Sequence, residues 1–147
     1  MERTQDAVRG KQSSHTTFHV LVVDDHPLLR KGLGKLISSF GGFDIVGEAA
    51  DGKQGCELAQ QLQPDVVLMD IQMPKMNGID ATRWIKAKLP DVIIVGLSIR
   101  QDVVTANHMK EAGATAYLTK ETAPEELYRV IRSALTTRAQ AERENPL

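Results

Sequence analysis

The sequence has few of the features that are typical of secreted or membrane proteins. Cys56 is the only cysteine, so no internal disulfide can form, and a reducing compartment is expected. No apolar stretch approaches the roughly 20 residues that a transmembrane helix needs. Residues 1–17 also lack the apolar segment of a secretory signal. These absences together predict a cytoplasmic protein that contacts no membrane.

An excess of charge of one sign is also absent. The chain has 18 basic and 19 acidic residues and a formal net charge of -1, and only 4% of its residues are aromatic. A protein that binds nucleic acid electrostatically would instead carry a strongly basic surface. We therefore expect no direct nucleic-acid binding by this chain. Its 147 residues, 41% of them hydrophobic, are sufficient for one domain with a core.

The most informative pattern is a set of polar residues that directly follow short apolar segments. These residues are Asp24, Asp25, Asp70, Ser98 and Lys120. Short apolar segments separated by helix-like stretches are typical of buried strands in a parallel sheet. The carboxyl ends of such strands share one edge, where ligands bind. Three carboxylates, a hydroxyl and an ammonium group are therefore expected to meet in one crevice.

The same periodicity predicts five strand–helix pairs and thus an α/β fold, a doubly wound open sandwich around a five-stranded parallel sheet. The expected strands cover residues 18–23, 43–49, 65–69, 92–97 and 115–118. Residues 1–17 are read as a flexible arm, 18–135 as the domain, and 136–147 as a helix extension or the start of a linker.

Several helix ends are indicated by single residues. Pro27 suits the first turn of the first helix, with His26 as its N-cap, and Gly113 suits a C-cap. The pattern from Thr122 to Glu125 predicts a capping box for the last helix. In the first helix, the spacing places Leu29 on the face that packs inward.

The predicted crevice favours metal-assisted phosphoryl chemistry. Three neighbouring carboxylates repel one another unless a cation lies between them, and Mg²⁺ prefers oxygen ligands and phosphate groups. Lys120 and Ser98 suit the oxygens of a phosphoryl group, and Asp70 is the natural nucleophile because a carboxylate can form an aspartyl phosphate. The transfer would depend on positioning and charge neutralisation.

Four sequence blocks, in order, resemble the signature of a CheY-like response-regulator receiver domain. They are Val22-Val23-Asp24-Asp25-His26-Pro27, Met69-Asp70-Ile71-Gln72-Met73-Pro74 with Asn77-Gly78, Gly96-Leu97-Ser98, and Tyr117-Leu118-Thr119-Lys120. The first and third blocks are similar to those of the NarL/FixJ (LuxR-type) subgroup. The resemblance, which extends from about Phe18 to Leu135, also supplies the strand order 2-1-3-4-5, which the periodicity does not give.

The resemblance implies a role for each matched residue. Asp70 would accept a phosphoryl group from the phosphohistidine of a histidine kinase. Asp25, Asp70 and the main-chain carbonyl of Gln72 would bind Mg²⁺ directly and Asp24 mainly through water, with Mn²⁺ as an alternative. Ser98 and Lys120 would hold the phosphoryl group, Ser98 and Tyr117 would form the switch, and Gln72 and Arg100 would tune the rate of dephosphorylation.

The implied function is that of a signalling switch and not of an enzyme with an external substrate. Phosphorylation would change the face formed by the fourth helix, the fifth strand and the fifth helix, and would control an output, transcription if a DNA-binding domain follows. A homodimer on phosphorylation is left open. One departure from the family pattern is Glu121, where many receivers have proline. We expect a trans peptide there, and Glu121 could compete for the Lys120 ammonium.

Two other functions are consistent with parts of this pattern. A receiver-like interaction module that works without phosphate would keep the fold, but the intact acidic residues and Lys120 argue against it. A phosphohydrolase of the haloacid-dehalogenase type also forms an aspartyl phosphate. That class needs a second aspartate two residues after the nucleophile, and Gln72 occupies this position. We therefore reject the phosphohydrolase.

Overall fold

The computed structural model describes residues 16–99 and 102–144. Five strands alternate with five helices in these residues. The strands are β1 (Phe18–Val23), β2 (Phe43–Ala49), β3 (Val66–Asp70), β4 (Ile93–Ser98) and β5 (Ala116–Thr119). The helices are α1 (Pro27–Ser39), α2 (Gly52–Leu62), α3 (Gly78–Lys88), α4 (Val103–Ala112) and α5 (Pro124–Glu144). Arg100, one of the residues expected to tune the rate, lies outside the described residues.

The strands form one parallel sheet in the order β2-β1-β3-β4-β5, which confirms the doubly wound fold and the expected strand order. β1, β3 and β4 lie in the centre, and residues from Val20 to Val23 and from Val66 to Asp70 are buried. Strands covered on both faces need continuous apolar sequence, and this explains the unbroken runs. The carboxyl ends of all five strands consequently lie at the same edge.

The core has two layers, one on each face of the sheet. Alternate residues of each strand point to opposite faces. On one face Val20 and Val22 pack with residues of α1 and α5, including Ile37 and Ile131. The residues Leu21, Val23, Val67, Met69 and Ile94 pack on the other face with Cys56 and Ala59 of α2 and Ala81 and Ile85 of α3. The two layers fix the sheet between the helices, so that its carboxyl edge is a rigid platform.

Local signals explain most helix ends. Pro27 begins α1, and Gly113, with φ of 113°, is the C-cap of α4, as expected. Asp51, Asn77 and Asp102 each accept a hydrogen bond from a main-chain N–H in the first turn of α2, α3 and α4.

Three local predictions are wrong. The expected capping box at Thr122 is not the start of α5, because the helix begins at Pro124 and the Thr122 hydroxyl lies 3.4 Å from that of Thr119. Leu29 does not pack inward and is 46% exposed, since the first turn of α1 lies beyond the last residue of β1. The last three strands each end one residue later than expected, because ladder pairing continues to Asp70 and Ser98.

Among residues 16–99 and 102–144, no helix combines the length and the apolarity needed to cross a membrane. Every peptide bond of these residues is trans, as expected for the bond that joins Lys120 to Glu121.

Candidate phosphoryl and metal site

The carboxyl ends of β1 and β3 bring acidic side chains into a nearly closed space. Asp24 follows β1 directly and is 1% exposed, and Asp70 ends β3 and is 6% exposed. The main-chain N–H of Asp24 donates to the carbonyl of Ala49 at 3.0 Å, which holds the end of β1 against β2. Asp25 lies next to Asp24 and is half-buried. The predicted convergence of the three carboxylates is therefore present.

Lys120 reaches this cluster from the other side of the sheet edge. Its Nζ lies 3.0 Å from Oδ2 of Asp24 and 3.2 Å from Oδ1 of Asp70. The main-chain N–H of Lys120 donates to the carbonyl of Ser98 at 2.7 Å, which places Lys120 beside the end of β4. Glu121 is exposed, and the Lys120 ammonium is directed towards Asp24 and Asp70. The structure thus brings together all five of the polar residues that the apolar runs singled out.

Two carboxylate oxygens of the cluster lack the partners that burial normally demands. Oδ1 of Asp70 accepts a hydrogen bond from the main-chain N–H of Ile71 at 2.8 Å. Oδ2 of Asp70 and Oδ1 of Asp25 are buried, and neither receives a hydrogen bond from residues 16–99 or 102–144. An unsatisfied buried polar atom costs about 1–3 kcal/mol, and more when it is charged. These oxygens are therefore available to a ligand.

The electrostatics of the site oppose the charge on Asp70. Burial and the neighbouring Asp24 raise the pKa of Asp70 from 3.8 to about 6, although Lys120 and the Ile71 N–H act in the opposite direction. Burial disfavours the ammonium form of Lys120, but its hydrogen bond to Asp24 and the charges of Asp70 and Asp24 outweigh that effect and raise its pKa. The charge of Lys120 alone does not balance the three carboxylates.

A cavity of about 730 Å³ opens onto these groups. Its walls include Asp70, Ser98 and Lys120, together with His26 and Gln72. Ser98 is half-buried at the end of β4, and Gln72 is exposed beyond the end of β3. The cavity also contacts Ile99 and Thr105. A phosphoryl group that entered it would meet the hydroxyl and the ammonium group on one side of Asp70.

The expected switch residue Tyr117 lies on β5, half-buried. Its ring packs over Gly96 of β4, with Cδ1 3.3 Å from the position that a Cβ on Gly96 would take. The methyl group of Met109, from α4, would be 2.6 Å from the same position. Tyr117 and α4 therefore meet above the strand that ends at Ser98.

Two residues at this edge were not predicted to take part. His26 occupies the N-cap of α1 as expected, but its side chain makes no capping bond, and its Nδ1 lies 3.3 Å from Oδ1 of Asp24. Arg30 donates through Nη1 to the carbonyl of Asp24 at 2.6 Å and through Nε to Glu48 at 3.0 Å. The only sequence signal for these contacts is that His26 lies two residues, and Arg30 six residues, after Asp24.

The residues present fit a divalent cation. One ligand atom from each of Asp24, Asp25, His26 and Asp70 lies within 4.8 Å of all the others. The two buried oxygens without donors belong to this group, and oxygen ligands are those that Mg²⁺ prefers. Two observations therefore support a bound cation: the cluster of acidic groups and the buried carboxylate oxygens that receive no hydrogen bond.

Comparison with known proteins bears directly on this site and fold. The family model described as the response regulator receiver domain matches residues 20–132. The chain belongs to the response-regulator receiver family. Receivers of this family are signalling proteins that interact with histidine kinases, and they generally bind Mg²⁺ through an acidic cluster such as the one seen here.

Individual relatives agree with this assignment. The nitrate/nitrite response regulator NarL of Escherichia coli K12 is 42% identical over 118 residues, which are 78% of this chain and 53% of that protein. The transcriptional regulatory protein DegU of Brevibacillus brevis is 38% identical over 112 residues, 76% of this chain and 48% of that protein. The receiver thus spans about half the length of the curated relatives it matches.

Solved structures share the same fold. A two-component response regulator of the LuxR family from Aurantimonas sp. SI85-9A1 aligns with a TM-score of 0.79 and 36% identity, over 84% of this chain and 88% of that one. The CheX-CheY-BeF3-Mg²⁺ complex from Borrelia burgdorferi aligns with a TM-score of 0.78 and 26% identity, over 84% of this chain and 92% of that one. The resemblance read from the four sequence blocks is confirmed.

Proposed function

We propose that this receiver accepts a phosphoryl group on Asp70 from the phosphohistidine of a histidine kinase. The observation that carries the proposal is the Oδ2 atom of Asp70, which is buried, receives no hydrogen bond from the described part of the chain, and lies beside a cavity lined by Lys120 and Ser98. A carboxylate oxygen held in this way is a nucleophile that needs no general base, since it has no proton to lose.

The transfer is a simple exchange of bonds. An oxygen of Asp70 forms a bond to phosphorus, and the bond between phosphorus and the kinase imidazole nitrogen breaks. The imidazole keeps the electron pair and takes up a proton. The product on this chain is an aspartyl phosphate, and the later loss of the phosphoryl group to water returns the carboxylate. Catalysis consists of positioning and charge neutralisation.

Asp24, Asp25, Asp70 and the main-chain carbonyl of Gln72 are the residues that would hold Mg²⁺. When bound, the cation supplies positive charge that offsets both the carboxylates and the incoming phosphoryl oxygens. Oδ1 of Asp25, which is buried and receives no hydrogen bond from a described residue, is suited to that role. The Mg²⁺ in the related Borrelia burgdorferi complex supports this choice of cation.

Lys120 and Ser98 would hold the transferred group. The Lys120 ammonium lies 3.2 Å from Oδ1 of Asp70 and would form an ion pair with one oxygen of the phosphoryl group. The Ser98 hydroxyl would donate to another oxygen, and this would draw the end of β4 towards Asp70. Gln72 lines the cavity and would tune access of water to the aspartyl phosphate, and we propose the same role for Arg100.

Movement of Ser98 would be transmitted to the surface through Tyr117. The Tyr117 ring and the Met109 methyl group both pack at Gly96, two residues before Ser98. A shift of this strand end would therefore change the face formed by α4, β5 and α5, with phosphorylation favouring one of two existing arrangements. The name of DegU, a transcriptional regulatory protein, suggests that transcription is the output when a DNA-binding domain follows.

We take residues 18–135 as the receiver domain and residues 136–144, which continue α5, as its extension. Most of the expected arm, residues 1–15, and residues 145–147 lie outside the described residues. The α4-β5-α5 face is also our proposed site of homodimer formation on phosphorylation. Sedimentation with and without a phosphoryl mimic tests that step, and a monomer under both conditions would contradict it.

Intact mass after incubation with Mg²⁺ and a small phosphodonor tests the proposed function. We expect one added phosphoryl group on the wild type and none on Asp70→Asn. As a matched control, Asp44→Asn removes an exposed carboxylate on β2 and should be labelled like the wild type. Absence of labelling on the wild type would favour the interaction module that works without phosphate, and labelling of Asp70→Asn would place the acceptor elsewhere.

A further inference from the structure

The imidazole of His26 lies among the carboxylates, although the helix N-cap role does not require this. Its Nδ1 is 3.1 Å from Oδ1 of Asp25 and 3.3 Å from Oδ1 of Asp24. The His26 main-chain N–H donates to the same Asp24 oxygen at 2.8 Å and so fixes the start of α1 against the cluster. The side chain is 55% exposed, which leaves it free to adjust its ring orientation.

The contact between His26 and Asp25 is close without being a hydrogen bond. Oδ1 of Asp25 is buried and has no donor, even though the imidazole nitrogen is 3.1 Å away. The distance is short, but the direction does not suit donation. Neighbouring ligands of an octahedral cation with bonds of about 2.1 Å lie about 3.0 Å apart. The 3.1 Å separation of Nδ1 from Oδ1 of Asp25 is close to that spacing, whereas the 3.3 Å separation from Oδ1 of Asp24 is that of a hydrogen bond.

A second observation points to a ligand at the same place. The Asp70 side chain is only 7% exposed, and its Oδ2 has no donor. Asp70 and His26 line the same cavity, and one ligand atom of each lies within 4.8 Å of those of Asp24 and Asp25. A ring nitrogen and oxygens of three carboxylates are thus gathered within 4.8 Å of one another.

The nitrogen changes which ions the donor set favours. Carboxylate and water oxygens suit Mg²⁺, Ca²⁺ and Mn²⁺, whereas imidazole suits the later first-row ions such as Ni²⁺ and Zn²⁺. Neutral imidazole can coordinate through Nδ1. Mg²⁺ would therefore gain little from His26, and a transition cation would gain a bond.

We propose that His26 is a direct nitrogen ligand of the divalent cation in this site. The affinity of the site for first-row transition cations then depends on His26, whereas its affinity for Mg²⁺ does not. This inference rests on the proposed cation site at Asp24, Asp25 and Asp70 and adds a ligand class to it. The alternative role for His26 is to position the carboxylates, in which case every divalent cation would depend on it equally.

Calorimetric titration of the full chain with NiCl₂ and with MgCl₂ separates the two roles. We expect His26→Asn to weaken Ni²⁺ binding by at least about tenfold and to change the Mg²⁺ dissociation constant by less than about twofold. His108→Asn removes an exposed imidazole on α4 and is the matched control, for which neither constant should change. Equal weakening of both cations, or of neither, by His26→Asn would overturn the proposal.

Pulsed electron paramagnetic resonance of the Cu²⁺-loaded chain gives a direct readout, because Cu²⁺ is paramagnetic and suits imidazole. The wild type should show coupling of the copper electron spin to the imidazole ¹⁴N of His26, and His26→Asn should lose it. Cu²⁺ bound at this site without that coupling in the wild type would also overturn the proposal. In that event phosphoryl labelling of Asp70 would still stand as a separate result, so the two proposals fail independently.

Discussion

The two edges of the sheet treat their charged groups in opposite ways. At the amino edge, Asp65 receives a hydrogen bond from the main-chain N–H of His19 at 2.8 Å and pairs with Arg138 of α5 at 3.0 Å. At the carboxyl edge, Asp24 and Asp70 share the single ammonium of Lys120, and Oδ2 of Asp70 has no donor. The carboxylate of Asp65 at the amino edge is paired within the protein, whereas an oxygen of Asp70 at the carboxyl edge is left available to an external ligand.

The difference shows that the carboxyl edge lowers the stability of the folded protein and, in exchange, provides groups that can bind a ligand. Burial of Asp70 beside Asp24 destabilises the ionised folded state, and the structure retains this arrangement at the edge where ligands bind in doubly wound sheets. The Asp65–Arg138 pair instead joins β3's start to the far part of α5. A substitution that removes one negative charge should therefore have opposite effects at the two edges.

The largest effect should come from the backbone that brings β3 and α3 together at the carboxyl edge. A Cβ added to Gly78 would lie 1.9 Å from the Asp70 main-chain oxygen, which cannot move without shifting β3. We expect Gly78→Ala to lower the free energy of unfolding by about 3 kcal/mol, as measured by urea denaturation.

Gly32→Ala on α1 is the matched control for Gly78→Ala. A Cβ at position 32 meets nothing within 4 Å, and alanine favours helix over glycine by up to about 1 kcal/mol. The two substitutions should therefore differ in sign. Equal stability changes would mean that the close approach of Gly78 to Asp70 does not constrain the site.

The second effect is a gain of stability from Asp70→Asn. In metal-free buffer at pH 7.5, this change should raise the free energy of unfolding by about 2–3 kcal/mol, since one pKa unit corresponds to about 1.4 kcal/mol. Asparagine can still accept the hydrogen bond that the Ile71 N–H donates to Asp70. A loss of stability in urea denaturation would contradict the proposed electrostatic strain.

The gain should depend on pH in a defined direction. The folded-state pKa of Asp70 is about 6 and its ordinary value is 3.8, so the folded protein binds more protons between these values. Stability of the wild type therefore falls as pH rises through this window. The difference between Asp70→Asn and the wild type should be small below pH 4 and complete above pH 7. A difference that is constant from pH 4 to pH 7.5 would rule out this cause.

The smallest effect is expected at the amino edge. Asp65→Asn weakens the pair with Arg138 and should lower the free energy of unfolding by about 1 kcal/mol, because both side chains are partly exposed. Hydrogen exchange should report the loss in α5 around Arg138. If Asp65→Asn instead raised the free energy of unfolding, as we expect for Asp70→Asn, the proposed difference between the two edges would be wrong.

Much of this arrangement could be predicted from the sequence because it follows from repeating features. Buried parallel strands require continuous apolar runs, and the residues after Val23 and Met69 must then lie at the shared carboxyl edge. The strand order required the family resemblance, since apolar periodicity does not record which strands are neighbours.

Other features depend on contacts between elements and could not be read from local pattern. The His26 ring turns towards Asp24 and Asp25, which an N-cap assignment does not indicate. Arg30 is held by the carbonyl of Asp24 and by Glu48 of β2. The exposure of Leu29 follows from the place where α1 passes beyond the sheet, and helical spacing alone treats that residue as part of the inward face.

The most direct test of the contrast between the two edges is the effect of Mg²⁺ on the free energy of unfolding of the wild type and of Asp70→Asn. A cation that binds only the folded wild type adds about 2.7 kcal/mol at a concentration one hundred times its dissociation constant. We predict that Mg²⁺ stabilises the wild type, has a much smaller effect on Asp70→Asn, and so removes most of the advantage of the variant. If the stability difference between Asp70→Asn and the wild type stays unchanged at saturating Mg²⁺, the proposed site is contradicted, because the unfavourable charge on Asp70 would then not be offset by a bound cation.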